Sequence, residues 1–519
     1  HVVKLSKQLE LGGESTVINE LHLMSDTPEA IVCDASLEKD VRHFIPASDR
    51  KPIGIIIFPK AKQALVSKDR FKIGIDFGTT NTCAYIRKND ETPKDILFEN
   101  RLVSPFEKSS DDEFYKRTLR EFIPQRKVDV PFMTISRDRR INLNEGDVSI
   151  PLPIWNSFIY YVSDMRDGLE DIEDPNEREL HFNLKWSKSP EDRQRIEIYL
   201  GQVVVQSYAE AIAQGADPEQ IEWAFSYPEA FTPNQLRSFK LLFKSSLVKG
   251  INPFISNEQE HKVSFKSESL TSALYFASNK DAAFTETAIT IDIGGHTSDI
   301  SIWQSRELKW RNSTQIAGRH ILINFLCKNI DLIKHLALGD PILQAAFDQL
   351  ESIKNNGDEI AVRNAVEIIV NSKEFAYAYG NRFHIVDGQN EGMNLRTTAE
   401  IALAGILYYA GQIISHLVDN NLFSSDRAST ATICLGGRAS LLYKVIFNDV
   451  EEQSGLKAFL SDATNGAISA DQIKFAFTEN PKHEVAHGLL VPEVGITNFD
   501  LSKQSHVLLL GEDIDSNGK

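Results

Sequence analysis

Two short segments of this sequence combine an aspartate, glycines and hydroxyl side chains in the same order. Ile73-Gly74-Ile75-Asp76 is an apolar run entering the turn Phe77-Gly78-Thr79-Thr80-Asn81, and Thr82 to Ile86 reads as a return strand. The pattern recurs 216 residues later, where Ala288 to Asp292 enters Ile293-Gly294-Gly295-His296-Thr297-Ser298 and returns through Asp299 to Trp303. Glycines let backbone approach an oxyanion closely, and consecutive N–H groups in such turns form anion-binding nests. Thr79, Thr80 and Thr297 add hydroxyl donors. Asp76 and Asp292, facing one cleft, repel each other unless a cation lies between them. Mg²⁺ takes a few carboxylates together with waters and phosphate oxygens, so the pair implies a metal–nucleotide complex. One such hairpin alone is ordinary turn chemistry. The second copy, and a third element, Gly436-Gly437 between the apolar strand Ala431 to Leu435 and a helix from Leu441, give the pattern its weight.

The elements that must position these turns alternate strands with helices. Apolar spacing predicts helices over 196–214, 233–247, 268–277, 340–376 and 397–418, and a strand at Trp223 to Pro228 that stops at proline. The fold class is α/β, with mixed sheets covered by helices. A repeat of lobe size predicts two similar lobes, because solenoids repeat at about 20–50 residues. The expected organisation is an N-terminal extension or upstream-domain tail over 1–70, lobe I over 71–285, lobe II over 286–470, a returning helix over 471–495 and a tail over 496–519. Within 1–70, Ala30 to Cys33 and Ile53 to Phe58 read as strands. Asp111 to Lys127 reads as a helix with a solvated face. The acidic run Asp167 to Glu179, around Pro175, reads as a surface loop and lacks the spacing of a calcium loop.

Bulk properties exclude other classes. With 519 residues, 42% hydrophobic and 25% charged, the chain has an ordinary globular composition and room for several cores. A net charge of −17 argues against a general nucleic-acid or anionic-membrane binder, whose surfaces need clustered Lys and Arg. The four cysteines, Cys33, Cys83, Cys327 and Cys434, form no CxxC pair, which fits a reducing cytoplasm. No secretory signal opens the sequence. The most apolar stretch, Ile401 to Ile414, is too short to span a bilayer and is expected to be a buried helix, so membrane insertion is not expected.

Ile75-Asp76-Phe77-Gly78-Thr79-Thr80-Asn81-Thr82 closely resembles the first phosphate motif of the actin, seventy-kilodalton heat-shock chaperone and sugar kinase superfamily. Ile291 to Asp299 resembles its second phosphate motif. Cys434-Leu435-Gly436-Gly437-Arg438 is similar to its adenosine motif, and Glu484-Val485-Ala486-His487-Gly488 to its late connecting helix. The resemblance spans Phe71 to Val491 and is nearest to the ATPase domain of heat-shock chaperones, helped by the order Phe225 to Pro228, Glu268 helix, second hairpin, and by the turn Gln315-Ile316-Ala317-Gly318-Arg319. It implies a two-lobed actin-like ATPase fold with duplicated ribonuclease H-like lobes, binding ATP or ADP with Mg²⁺. Asp76 and Asp292 would hold the metal through its water shell. Gly78, Thr79, Thr80, Asn81, Gly294, Gly295, His296 and Thr297 would surround the phosphates, and Gly436, Gly437 and Arg438 the nucleoside. Glu268 would orient the attacking water, with Asp299 a second carboxylate at the reaction centre. From the residues alone, Glu268 equally reads as a helix N-terminal carboxylate.

Three departures stand out. His296 replaces a glycine of the chaperone pattern, and either contacts the γ-phosphate or fills the turn. The chaperones' adenine-stacking arginine falls at Ser440, so Arg438 substitutes for it or the base is held differently. No residue matches their lobe I lysine, which leaves slow turnover or nucleotide sensing open. The expected function is an ATP hydrolase that couples lobe closure to a protein partner or further domain. An actin-like filament subunit and a small-molecule kinase with Asp299 as base are the competing readings.

Overall fold

The computed structural model describes residues 2–11, 14–23, 30–35, 51–57, 67–98, 130–139, 157–162, 165–173, 178–187, 189–217, 219–251, 262–279, 281–387, 395–425, 430–446 and 450–492. The chain divides into two compact units, 1–65 with 98–128, and 66–97 with 129–519. In the first, β1 (Val2–Leu11) pairs antiparallel with β2 (Glu14–Leu23), and β3 (Ala30–Ala35) with β4 (Lys51–Ile57). The helix expected over Asp111 to Lys127 and the tail 496–519 lie outside the described residues.

The second unit is mixed α/β and contains two large sheets. The first is ordered β13-β12-β5-β6-β7, from Val263–Ser267, Glu222–Tyr227, Phe71–Phe77, Asn81–Lys88 and Lys94–Asp95, with β8 (Phe132–Met133) also on β6. The second is ordered β18-β17-β14-β15-β16, from Ile473–Phe477, Ala431–Gly436, Thr287–Ile293, Ser298–Gln304 and Glu307–Thr314. In each, the first hairpin strand has its antiparallel partner on one side and two parallel strands on the other. The two sheets thus share strand order and sense: β5 corresponds to β14, β6 to β15, β7 to β16, β12 to β17 and β13 to β18. A smaller sheet, β10-β9-β11, joins Ser157–Ile159, Ser136–Arg139 and Arg178–His181.

The sequence explains why β5 and β14 are central. Every residue of Thr287–Ile293 is buried, as is all of Phe71–Phe77 except half-buried Lys72. Such continuous apolar runs belong to strands covered on both faces. Helix Leu395–Asp419 is long and apolar enough to cross a membrane by length and composition, yet Leu403, Ile406, Leu407, Ala410, Ile413 and Ile414 pack into the core beside the second sheet.

Three expected elements differ. The span expected over 471–495 as a returning helix holds the strand Ile473–Phe477, paired with Ala431–Gly436, and only a short helix, Glu484–Gly488. Residues 340–376 are broken among three helices, Pro341–Asn355, Glu359–Val370 and Lys373–Asp387. Gly357, at φ +80°, ends the first, and Asp358 caps the next through Ile360 and Ala361 N–H. The acidic run is not simply a loop: Met165–Glu173 is a helix that buries Met165, Gly168, Leu169 and Ile172 and turns its acids outward. Acidic residues between apolar ones at helical spacing describe an amphipathic helix.

Helices Glu268–Asn279 and Glu484–Gly488 pack on each other beside β5 and β14. A Cβ on Gly488 would lie 1.8 Å from the Thr271 carbonyl oxygen, so only glycine permits this crossing.

Candidate functional site

Both aspartate hairpins close in the same way. Gly78 N–H donates to the Asn81 carbonyl and Gly294 N–H to the Thr297 carbonyl, each at 3.0 Å. The turns meet face to face: a Cβ on Gly295 would lie 2.3 Å from Thr80 Oγ1. The Gly318-Arg319 turn braces the second hairpin, with its two N–H groups on the Gly294 and Gly295 carbonyls at 3.0 and 2.9 Å. Arg319 donates to Glu367 at 2.8 Å, and Glu367 also accepts from Thr80.

Asp76 and Asp292 are both buried, and a cation from the chain lies with them. Lys482 Nζ donates to Asp76 Oδ2 at 3.2 Å, while Ser226 Oγ donates to Asp76 Oδ1 at 2.7 Å. Burial pushes the Lys482 ammonium down, but attraction to Asp76, Asp292 and Glu268 outweighs it and the net direction is up. Burial holds Asp292 well above the usual carboxylate range, with Lys482 opposing and Glu484, Asp299 and Glu268 reinforcing. Asp292 Oδ1 is buried without a hydrogen-bond partner. Lys482 reaches this place from a backbone φ of +79°, which in a side-chain-bearing residue costs about 1–3 kcal/mol and persists only when the surroundings impose it.

A bound magnesium ion fits this arrangement poorly. The orphaned Asp292 oxygen suits a cation, but both Asp76 oxygens are engaged and the Lys482 ammonium lies against them. Among the described residues no group of three or more His, Cys, Asp or Glu is placed to hold a metal ion.

Glu268 opens its helix, as expected, and forms a buried ion pair with Lys185. Burial raises the Glu268 carboxyl while Lys185 lowers it, and the net direction is up. The neighbouring Trp186 donates through Nε1 to Thr79 Oγ1 at 2.9 Å, and its ring lies 4.8 Å from that of His296. His296 therefore bridges the second hairpin to Trp186; burial, His320 and Arg319 lower its pKa. Asp299 accepts from Ser313 Oγ, from Thr297 Oγ1 at 3.2 Å and from Glu229 N–H at 3.3 Å. Burial and repulsion from Glu268 push Asp299 up to about 7.

The glycine pair Gly436-Gly437 at the end of β17 lies against buried carboxylates. Gly437 has φ +75°, and a Cβ there would lie 2.2 Å from Asp292 Oδ1. Its N–H donates to Glu484 Oε1 at 3.1 Å. The close backbone approach is thus to the carboxylates of Asp292 and Glu484. Burial pushes Glu484 up to about 7 against that hydrogen bond.

A cavity of about 390 Å³ opens beside the hairpins, bordered by Thr80, Asn81, Gly294, Gly295, Arg438 and Lys482. Its lining also includes the apolar side chains of Leu322, Ile323, Val370, Phe375, Tyr379 and Leu442. Arg438 is fixed at its wall by the Asn371 carbonyl at 2.7 Å and Asn81 Oδ1 at 3.4 Å, and burial brings its pKa down to about 10. Ser440 does not reach out in its stead; its hydroxyl donates to the Gly437 carbonyl at 2.7 Å.

Sequence reasoning missed Lys185, Trp186, Lys482 and Glu367. The signal at Lys185 was local: a lysine between Leu184 and Trp186, just before the Ser189-Pro190 helix start, has apolar neighbours on both sides. Lys482 carried only the oddity of following Pro481 and preceding the recognised 484–488 segment. Compared with known proteins, the chain matches no family model and no curated protein sequence.

Proposed function

We propose that the second unit has a two-lobed actin-like fold and that the chain binds ATP or ADP between its lobes, hydrolysing ATP slowly. One observation carries the reading: aspartate-ended hairpins at corresponding positions of two sheets of like strand order face each other beside a cavity with a largely apolar lining. The base would lie among Phe375, Tyr379 and Leu442, and the phosphates against the backbone N–H groups of Thr79, Thr80, Gly295 and Thr297.

The chemistry then falls to Glu268. Its carboxylate takes a proton from water as the water oxygen attacks the γ-phosphorus, and ADP leaves with the electron pair of the broken β–γ bridging bond. Positioning and charge neutralisation dominate such a transfer. Lys185 opposes the rise that burial imposes on the Glu268 carboxyl, and a raised carboxyl is the better base. The contact between Thr80 and Gly295 must open for a polyphosphate to enter, so nucleotide exchange is coupled to lobe movement that a protein partner or further domain would read.

Nucleotide binding by calorimetry together with steady-state phosphate release tests this. Glu268→Gln should keep binding and lose about 10²- to 10⁴-fold in turnover. Turnover unaffected by both Glu268→Gln and Asp292→Ala would remove the assignment.

A further inference from the structure

The cation that sequence reasoning placed between the two aspartates as a metal ion has a counterpart in the chain itself. Lys482 Nζ is bonded to Asp76, and a Cβ on Gly78 would lie 2.7 Å from that nitrogen, so the ammonium sits directly on the first hairpin's turn. Lys482 also borders the cavity together with Thr80, Gly294 and Gly295 of the two turns. Of its three N–H donors, one is used on Asp76; among the described residues no other acceptor takes the remaining two.

We propose that Lys482 is the resident counter-cation of this site, and that the chain takes up the polyphosphate of a nucleoside di- or triphosphate without a divalent metal. The inference rests on the nucleotide reading above and specifies how that site meets the phosphate charge. An ammonium tethered by its own backbone is present before the ligand arrives, and its spare donors are those a phosphate oxygen accepts from. Arg319 and Arg438, on the cavity wall, add positive charge around the same turns. Two features show the lysine is held there by the fold. Its positive φ is imposed between Pro481 and the 484–488 helix, and Gly78 leaves the room that any larger residue would fill. A hydrated magnesium ion would have to displace this ammonium from Asp76.

The test is calorimetric titration of ADP into the full chain, in magnesium buffer and in EDTA. Wild-type affinity should agree between the two buffers within about threefold, that is within about 0.7 kcal/mol. Lys482→Met should bind at least about tenfold more weakly in EDTA. Lys482→Arg, which keeps the charge, should retain binding in EDTA. A wild-type affinity that drops about tenfold or more on removing magnesium overturns the proposal while leaving the nucleotide reading intact. Absence of ADP binding in both buffers, by protein whose circular dichroism shows it folded, overturns both. Lys482→Met strands two buried carboxylates, so should it fail to fold, the wild-type comparison and Lys482→Arg decide.

Discussion

Gly437→Ala separates the cost of a backbone conformation from the cost of displacing a site carboxylate. Gly437 sits at φ +75°, where an L side chain costs about 1–2 kcal/mol. Its added Cβ would lie 2.2 Å from Asp292 Oδ1 and 2.5 Å from the Ile293 carbonyl oxygen, both well inside ordinary van der Waals contact. Ile293 O is backbone of a buried central strand, so the turn rather than the strand must yield, and overpacking of this kind costs about 1–3 kcal/mol more. The chain contains its own control. Gly466 has φ +77° with nothing within 4 Å of an added Cβ, so Gly466→Ala should show the conformational cost alone. The expected destabilisation is about 2–5 kcal/mol at Gly437 and about 1–2 kcal/mol at Gly466. Thermal unfolding followed by fluorescence reads the ranking, and ADP titration should show binding weakened only in Gly437→Ala, because the turn that yields carries Arg438 at the cavity wall. Equal melting shifts for the two variants, with ADP binding retained in both, would refute the claim that Gly437 exists to admit Asp292.

Lys185→Met leaves Glu268 buried and unpaired and should cost about 3–5 kcal/mol, whereas the double variant Lys185→Met/Glu268→Gln should recover much of it in denaturant melts. Asp299 titrates near pH 7 when folded and near pH 4 when unfolded, so between those values only the folded state holds its proton. The stability this provides is full below about pH 4 and is lost as pH rises to about 7, a change on the order of 4 kcal/mol; Asp299→Asn should therefore flatten the pH dependence of melting relative to wild type. Equal slopes in the two proteins would count against it. Trp186 is tied to Thr79 and its ring lies beside that of His296, so ADP entry should change tryptophan emission, and Trp186→Phe should abolish most of that change.

The elements most legible in the sequence were those whose signal is local. Thr287–Ile293 and Phe71–Phe77 announce themselves as apolar runs ending in Asp-x-Gly, and the strand at 222–227 by its proline stop. The helix Met165–Glu173 was hidden because its acids, Asp167, Glu170, Asp171 and Glu173, dominate composition while only Met165, Gly168, Leu169 and Ile172 carry the packing. Likewise the single span expected over 340–376 concealed two breaks, since Gly357 and the Asn371-Ser372 turn interrupt a pattern whose apolar period continues across them.

The site divides along the same line, but for a reason that concerns charge rather than periodicity. A carboxylate at the end of a buried strand is a conspicuous feature because burying it is costly. The group that offsets it need obey no local rule. Lys482 is 406 residues from Asp76, and Lys185 is 83 residues from Glu268. Lys482 is brought in by a segment whose own sequence gives no reason for a buried lysine, and at Lys185 the flanking Leu184 and Trp186 give the one local sign. The burial of both hairpins makes such partners necessary: Asp76 and Asp292 come to one place, with Glu268, Asp299 and Glu484 close enough to raise Asp292 or one another. Charge balance demands cations there, and expecting a metal ion was reasonable from two aspartates alone. The fold meets part of that demand with Lys482 and Lys185, and reaching Asp76 from the 484–488 connection requires the left-handed backbone at Lys482. The position least readable in the sequence is thus the one that follows most directly from burying the residues that were readable.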